Sequence, residues 1–133
     1  MFKYVKFTRV ETDNTVLEFR GGDEDVKVFH FDCDIVSISS EVQSKIDELI
    51  ASQPTEINCT EMTKDEFRSA VADTRQLSCI RNLVASNIAK KYTLADEIAL
   101  SKRVDTDAKK ISYNEYAQEC ISFGDGLKAD IGY

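Results

Sequence analysis

Histidine is almost missing from this chain: His30 is the only one among 133 residues. A catalytic triad, a Cys-His pair or a zinc site would each have to draw on that single imidazole. No apolar run approaches the roughly 18 residues that cross a bilayer, and the opening MFKYVKFTRV lacks the apolar core of a signal peptide. No membrane contact is therefore expected, and synthesis in a cytoplasm is. The four cysteines, Cys33, Cys59, Cys79 and Cys120, lie far apart with no CxxC or Cys/His cluster. Free thiols acting as small buried hydrophobes are the expectation, not a zinc site, a redox pair or a disulfide framework. A phosphate loop is missing too. Gly21-Gly22 fits neither GxxxxGK[ST] nor GxGxxG, and the acids Asp23, Glu24 and Asp25 follow where a phosphate would be repelled.

What is present fits one ordinary domain, with 42% hydrophobic and 31% charged residues, too apolar for wholesale disorder. The net charge of -7 is unevenly placed. Up to Met62 there are 6 Lys/Arg against 13 Asp/Glu, whereas from Thr63 onward there are 11 of each. Such an acidic surface repels a phosphate backbone, which argues against direct nucleic-acid binding. The same charge would suit a decoy that occupies another protein's nucleic-acid groove.

The first third has the composition of strands. FKYVKFTRV is aromatic and β-branched, TVLEF follows the turn residues Asp13-Asn14, and VKVFHF follows Gly21-Gly22-Asp23. Three strands joined by tight turns predict an antiparallel meander. In the third, alternation places Phe29, Phe31 and Cys33 on one face and His30, Asp32 and Asp34 on the other. The period then changes. Val42, Ile46, Leu49 and Ile50 recur at helical spacing, with Ser40 and Gln43 as a capping box and Pro54 as the stop. TEINCTEM reads either as a short fourth strand or as a linker.

From Thr63 the pattern is helical. Thr63 and Glu66 make a second capping box, Met62 can staple onto Phe67, and an apolar stripe runs from Phe67 to Ile88. Unbroken, that helix would be about 40 Å long. Ser112 with Glu115 starts another helix, Gly124 is expected to end it, and DGLKADIGY remains as a tail carrying Leu127, Ile131 and Tyr133. These three side chains either pack back on the chain or meet a partner. The patterns together predict an α+β protein: residues 1–62 form a three- or four-stranded antiparallel meander with one helix. Residues 63–133 form a helical hairpin or three-helix region, and both parts belong to one compact unit.

Chemistry has few candidates. His30, Asp32 and Asp34 share a strand face near the acidic turn 23–25 and could offer oxygen and nitrogen ligands to a divalent cation. Acids on the wet face of a sheet are commonplace, and a metal would need further ligands from elsewhere. Cys33 and His30 fall on opposite faces, so they make no nucleophile pair. Arg75, Arg81, Lys90 and Lys91 are interspersed with acids, as on a solvated helical surface. In YTLADEIALSKR (residues 92–103), Thr93 with Asp96 satisfies the capping pattern, and Asp96 and Glu97 stand at the positive end of the helix dipole. Adjacent helical residues diverge by about 100°, so those two carboxylates do not converge on one substrate atom.

That segment, with YNEYAQEC and LKADIGY after it, resembles the C-terminal parts of small bacteriophage proteins encoded among tail and tail-fibre genes. The resemblance covers roughly residues 85 to 133 and includes no catalytic motif. It implies a virion component or a tail-assembly factor, with other virion or tail proteins as partners; separately, the long apolar helix stripe exceeds what a small sheet can cover, so a partner or a second copy of the chain is expected to bury the remainder. The place of action it implies is the host cytoplasm during synthesis, and the virion for a chain kept in the particle. No enzyme activity and no cofactor follow from it. An acidic inhibitor of a host nucleic-acid-binding protein and a small metal-dependent enzyme are the alternative expectations.

Overall fold

A computed structural model describes all 133 residues. It has a four-stranded antiparallel sheet, a separate two-stranded hairpin and five helices, with strands before helices. This is the α+β class that the sequence predicts. The strands are β1 (Phe2–Lys6), β2 (Val10–Glu11), β3 (Val16–Leu17), β4 (Lys27–His30), β5 (Ile35–Ser39) and β6 (Thr60–Met62). The main sheet runs β4-β5-β1-β6, while β2 and β3 pair only with each other. The connections therefore differ from a sequential meander: β1 lies between β5 and β6, with Tyr4 opposite Ser37 on one side and Met62 on the other.

The reason lies in β5, whose IVSIS carries no alternating strand signal of its own. Ile35, Val36, Ser37 and Ile38 are all buried, so the segment shows no apolar-polar alternation. Both faces of the sheet are covered. Val5, Val36 and Ile38 face one cluster with Phe7, Phe19 and Ile46, the last from α1 (Gln43–Ala51). Tyr4 and Ile35 face the other cluster, with Phe31 and with Phe67 and Val71 of α2 (Lys64–Val71). VKVFHF is strand only as far as His30; Asp34 has φ 45° and turns the chain into β5.

The caps are partly as expected. At α1 the cap residue is Val42, with no side-chain cap, and Ser40 Oγ accepts the Val42 N–H at 3.1 Å instead of closing a box with Gln43. At α2, Thr63 Oγ1 accepts the Glu66 N–H at 3.2 Å, and Met62 and Phe67 share one cluster. The helix does not continue to Lys91. The Thr74 hydroxyl and N–H both donate to the Val71 carbonyl, at 2.7 and 3.0 Å, and end α2. A new helix, α3 (Arg75–Ala89), begins at once.

Helix α4 (Leu94–Ser101) carries the full Thr93/Asp96 box. Helix α5 (Ala108–Asp130) starts before Ser112, on Asp107, whose Oδ1 accepts the Lys109 and Lys110 N–H groups at 2.9 and 3.3 Å. It also runs through Gly124, which was expected to end it. Gly124 is buried, and a Cβ there would overlap Val84 Cγ2, so this glycine allows α3 and α5 to approach closely. The helix ends at Asp130, and Gly132 in the turn after it has φ 90°.

Contacts divide the chain into two compact units, residues 1–77 with 131–133, and residues 78–130. The division falls inside α3, not at the change from strand to helix near residue 62.

Candidate functional site

The metal candidates do not form a ligand group. His30 ends β4, and Asp32 and Asp34 stand in the turn after it, beside a shallow depression that also holds Arg9 and Glu18. Asp32 is engaged structurally: its Oδ2 accepts the Arg75 N–H at 3.3 Å, and its Oδ1 accepts from Gln76 Nε2 at 3.3 Å and from the Arg75 guanidinium at 3.4 Å. It therefore caps α3 from a distant turn, where an exposed N–H needs an acceptor. No three His, Cys, Asp or Glu side chains gather as a metal site. Burial, then Asp34 and Asp32, pushes the Cys33 thiol up.

The tail residues have definite positions. Ile131 and Tyr133 pack on the cluster around Tyr4 and Phe67, and Leu127 is half-buried on α5. Tyr4 Oη donates to the Gly132 carbonyl at 2.8 Å, and Ser37 Oγ to the Ile131 carbonyl at 2.6 Å. The Arg68 guanidinium sits 4.6 Å from the Tyr133 ring centre. Ile131 and Tyr133 thus fasten the chain end to its own sheet.

The helical unit differs sharply from the sheet. Between residues 78 and 130 only Leu100, Cys120 and Gly124 are buried. Of nine large apolar side chains left exposed in the whole chain, seven are here: Leu83, Leu94, Ile98, Val104, Ile111, Ile121 and Phe123. They are spread over α3, α4, the turn after α4, and α5.

Polar contacts hold the unit in shape. Asp96 Oδ2 accepts the Thr93 N–H at 2.9 Å, and Thr93 Oγ1 accepts the Asp96 N–H at 3.1 Å. The Thr93 backbone N–H, and then its hydroxyl, hold the Asp96 carboxyl below the usual range. Glu97 accepts from Tyr113 Oη at 2.8 Å, which pushes that phenol up. Tyr92 stands edge-on to Tyr113, with ring centres 4.9 Å apart, and Tyr116 Oη donates to the Asn87 carbonyl at 2.7 Å.

Helix α4 is apolar on two sides. Leu100 is 8% exposed, while Leu94 and Ile98, one turn apart on the other side, are 71% and 51% exposed. Next to it lies a depression of about 490 Å³ lined by Lys91, Tyr92, Asp96, Leu100, Arg103 and Lys109. Asp96 there serves the helix cap, and Arg103 bonds Asp107 at 3.1 Å.

No family model, curated protein or solved structure matches this chain. Its function is therefore argued from its surface. Sequence reasoning located α4 and its caps but missed the outward Leu94–Ile98 face. The available signal was the presence of Leu94, Ile98 and Leu100 within seven residues, too many for one apolar stripe on so short a helix.

Proposed function

We propose that this protein is a non-enzymatic bacteriophage structural or tail-assembly protein that works through protein-protein contacts made by its helical unit. The observation that carries this reading is the seven large apolar side chains exposed between Leu83 and Phe123. Covering them with a partner removes apolar area from water, and that favours association. Six of the seven fall within residues 85–133, the stretch that resembles tail-associated phage proteins. Virion or tail proteins are the partners this suggests, met in the host cytoplasm during assembly.

The test is quantitative mass spectrometry of tail structures and assembly intermediates purified from infected cells. Recovery of this chain at a fixed ratio to a tail protein supports the proposal; its absence from every such fraction removes it.

A second reading draws on charge. Residues 1–77 with 131–133 hold 9 Lys/Arg against 16 Asp/Glu, a net of -7, while residues 78–130 hold 8 of each. An acidic sheet unit of that kind suits a decoy for a basic nucleic-acid groove. It predicts capture of a basic host protein that is lost at high salt, and capture indifferent to salt argues against it.

A further inference from the structure

We infer that residues 78–130 are a conformational device, a segment that unfolds and refolds as one piece while the sheet unit stays folded, with the chain end as its clip. This is independent of which partner the helical unit meets. Burial is the first observation. Of sixteen buried apolar side chains, only Leu100 and Cys120 belong to residues 78–130. Ordering a chain costs backbone and side-chain entropy at every residue, and burial of apolar surface is the main term against that cost. The sheet unit has fourteen such side chains to offset it, and the helical unit has two. Local helix strength does not make up the difference. Helix α4 has eight residues, below the length at which an isolated helix is stable, and α5 holds Gly124 and Gly126 in its interior. The ion pairs Arg103–Asp107 and Lys110–Asp105 lie at the surface, where such pairs add little. A segment with so little buried apolar surface opens before the rest of its fold.

The clip is the second observation. Both ends of the segment are fastened in one apolar cluster of the sheet unit, the one around Tyr4 and Phe67, where Leu77 is buried and Ile131 packs against it. Before Leu77, the Asp32 carboxylate accepts the Arg75 N–H at 3.3 Å, so the first turn of α3 is tied to the sheet. Beyond Asp130, the Ile131 and Gly132 carbonyls accept from Ser37 Oγ at 2.6 Å and from Tyr4 Oη at 2.8 Å. Gly132 has φ 90°, and an added Cβ would stand 3.0 Å from the Phe2 ring, so the seat is shaped to glycine. When residues 78–130 unfold, they therefore form a closed loop and not a free end. A closed loop has less entropy to gain, so the clip favours the folded segment. Only the folded segment presents its side chains in a fixed arrangement, and a molecule that binds that form draws the equilibrium toward it.

Hydrogen exchange of the full chain, followed amide by amide over a series of low urea concentrations, tests this. Amides of α4, of α5 and of α3 beyond Leu77 should share one opening. It should occur at least about a hundredfold more often than the opening of β1 and β5, with a smaller urea dependence. Removing Ile131–Tyr133 should make the opening of residues 78–130 at least about tenfold more frequent still, because a free end replaces the closed loop. Gly132→Ala, which keeps the full length and strains the seat, should move it in the same direction. A single opening common to β5 and α4, with one urea dependence, overturns the inference and needs only the parent chain. An opening of residues 78–130 left unchanged by both variants overturns the clip.

Discussion

Tyr4, in the middle of the sheet, donates its hydroxyl at 2.8 Å to the carbonyl of Gly132, the residue before the last, and the pair is buried. A strand near the chain's start thus holds its end. Tyr4 also stacks on Phe67, with ring centres 4.3 Å apart, so sheet, α2 and chain end meet at one side chain.

Replacing Tyr4 by phenylalanine keeps the ring and removes the hydroxyl, leaving the Gly132 carbonyl without this donor. The expected cost is about 1–2 kcal/mol, read from the urea midpoint. Removing Ile131 to Tyr133 should cost more, because the apolar contacts go with the hydrogen bonds. An unchanged midpoint for both variants would show that the chain end contributes nothing.

The Tyr4 phenol should also give the fold an alkaline limit. Burial raises it above the usual value of 10.0, against a smaller opposing pull from Arg68. The folded state therefore holds this proton more tightly than the unfolded chain does. Its contribution is complete below about pH 10 and is lost as pH rises through the raised folded value. Stability measured above pH 10 should fall less steeply in Tyr4→Phe than in the parent chain.

Two glycines of α5 should answer alanine in opposite ways. At Gly126 nothing lies within 4 Å of an added Cβ, so Gly126→Ala should stabilise by about 0.5–1 kcal/mol through helix propensity. At Gly124 the Cβ meets Val84, a β-branched side chain with little rotamer freedom in a helix. Gly124→Ala should destabilise by about 1–3 kcal/mol, and Val84→Ala in the same chain should restore part of the loss. Thermal melts of the three variants settle the signs.

The sequence made the class, α2, α4 and the capping of α4 legible, because short-range signals such as Thr93-x-x-Asp96 act within one turn. It hid what depends on distant residues. β5 has no alternation because both its faces are buried, and the sequential order of β1, β2 and β3 was assumed where β1 takes partners from residues 35–39 and 60–62. Gly124 has the local character of a helix stop, and only Val84, forty positions away, explains why it is not one. The sequence offers Asp32 only as an acid of a wet face or a candidate ligand, because its partner at the start of α3, Arg75, is distant in the chain.

Loss of that cap is measurable. Asp32→Ala leaves the Arg75 N–H to water and should cost about 1 kcal/mol, with the earliest loss of hydrogen-exchange protection at the start of α3. Asp32→Asn, which keeps an acceptor, should lose less.

The box at α4 predicts an acid response. Because the Asp96 carboxyl is held below its ordinary 3.8 by Thr93, its contribution is present above that value and is lost as pH falls through the lower folded value. A carbon-detected NMR titration should find the Asp96 midpoint below 3.8 in the parent chain and moved part of the way back in Thr93→Ala, which loses the hydroxyl and keeps the backbone N–H. Thr93→Ala should also cost about 1 kcal/mol of helix stability. Equal midpoints in the two chains would contradict a contribution from the Thr93 hydroxyl.

The proposed role requires that the bare apolar side chains of the helical unit be covered by protein when this chain is at work. Radical footprinting of Leu94, Ile98 and Val104 tests it most directly, comparing the dilute purified chain with the same chain in tail assemblies from infected cells. Heavy labelling of all three is expected in the dilute chain, and strong protection in the assemblies. Equal labelling in both would contradict it.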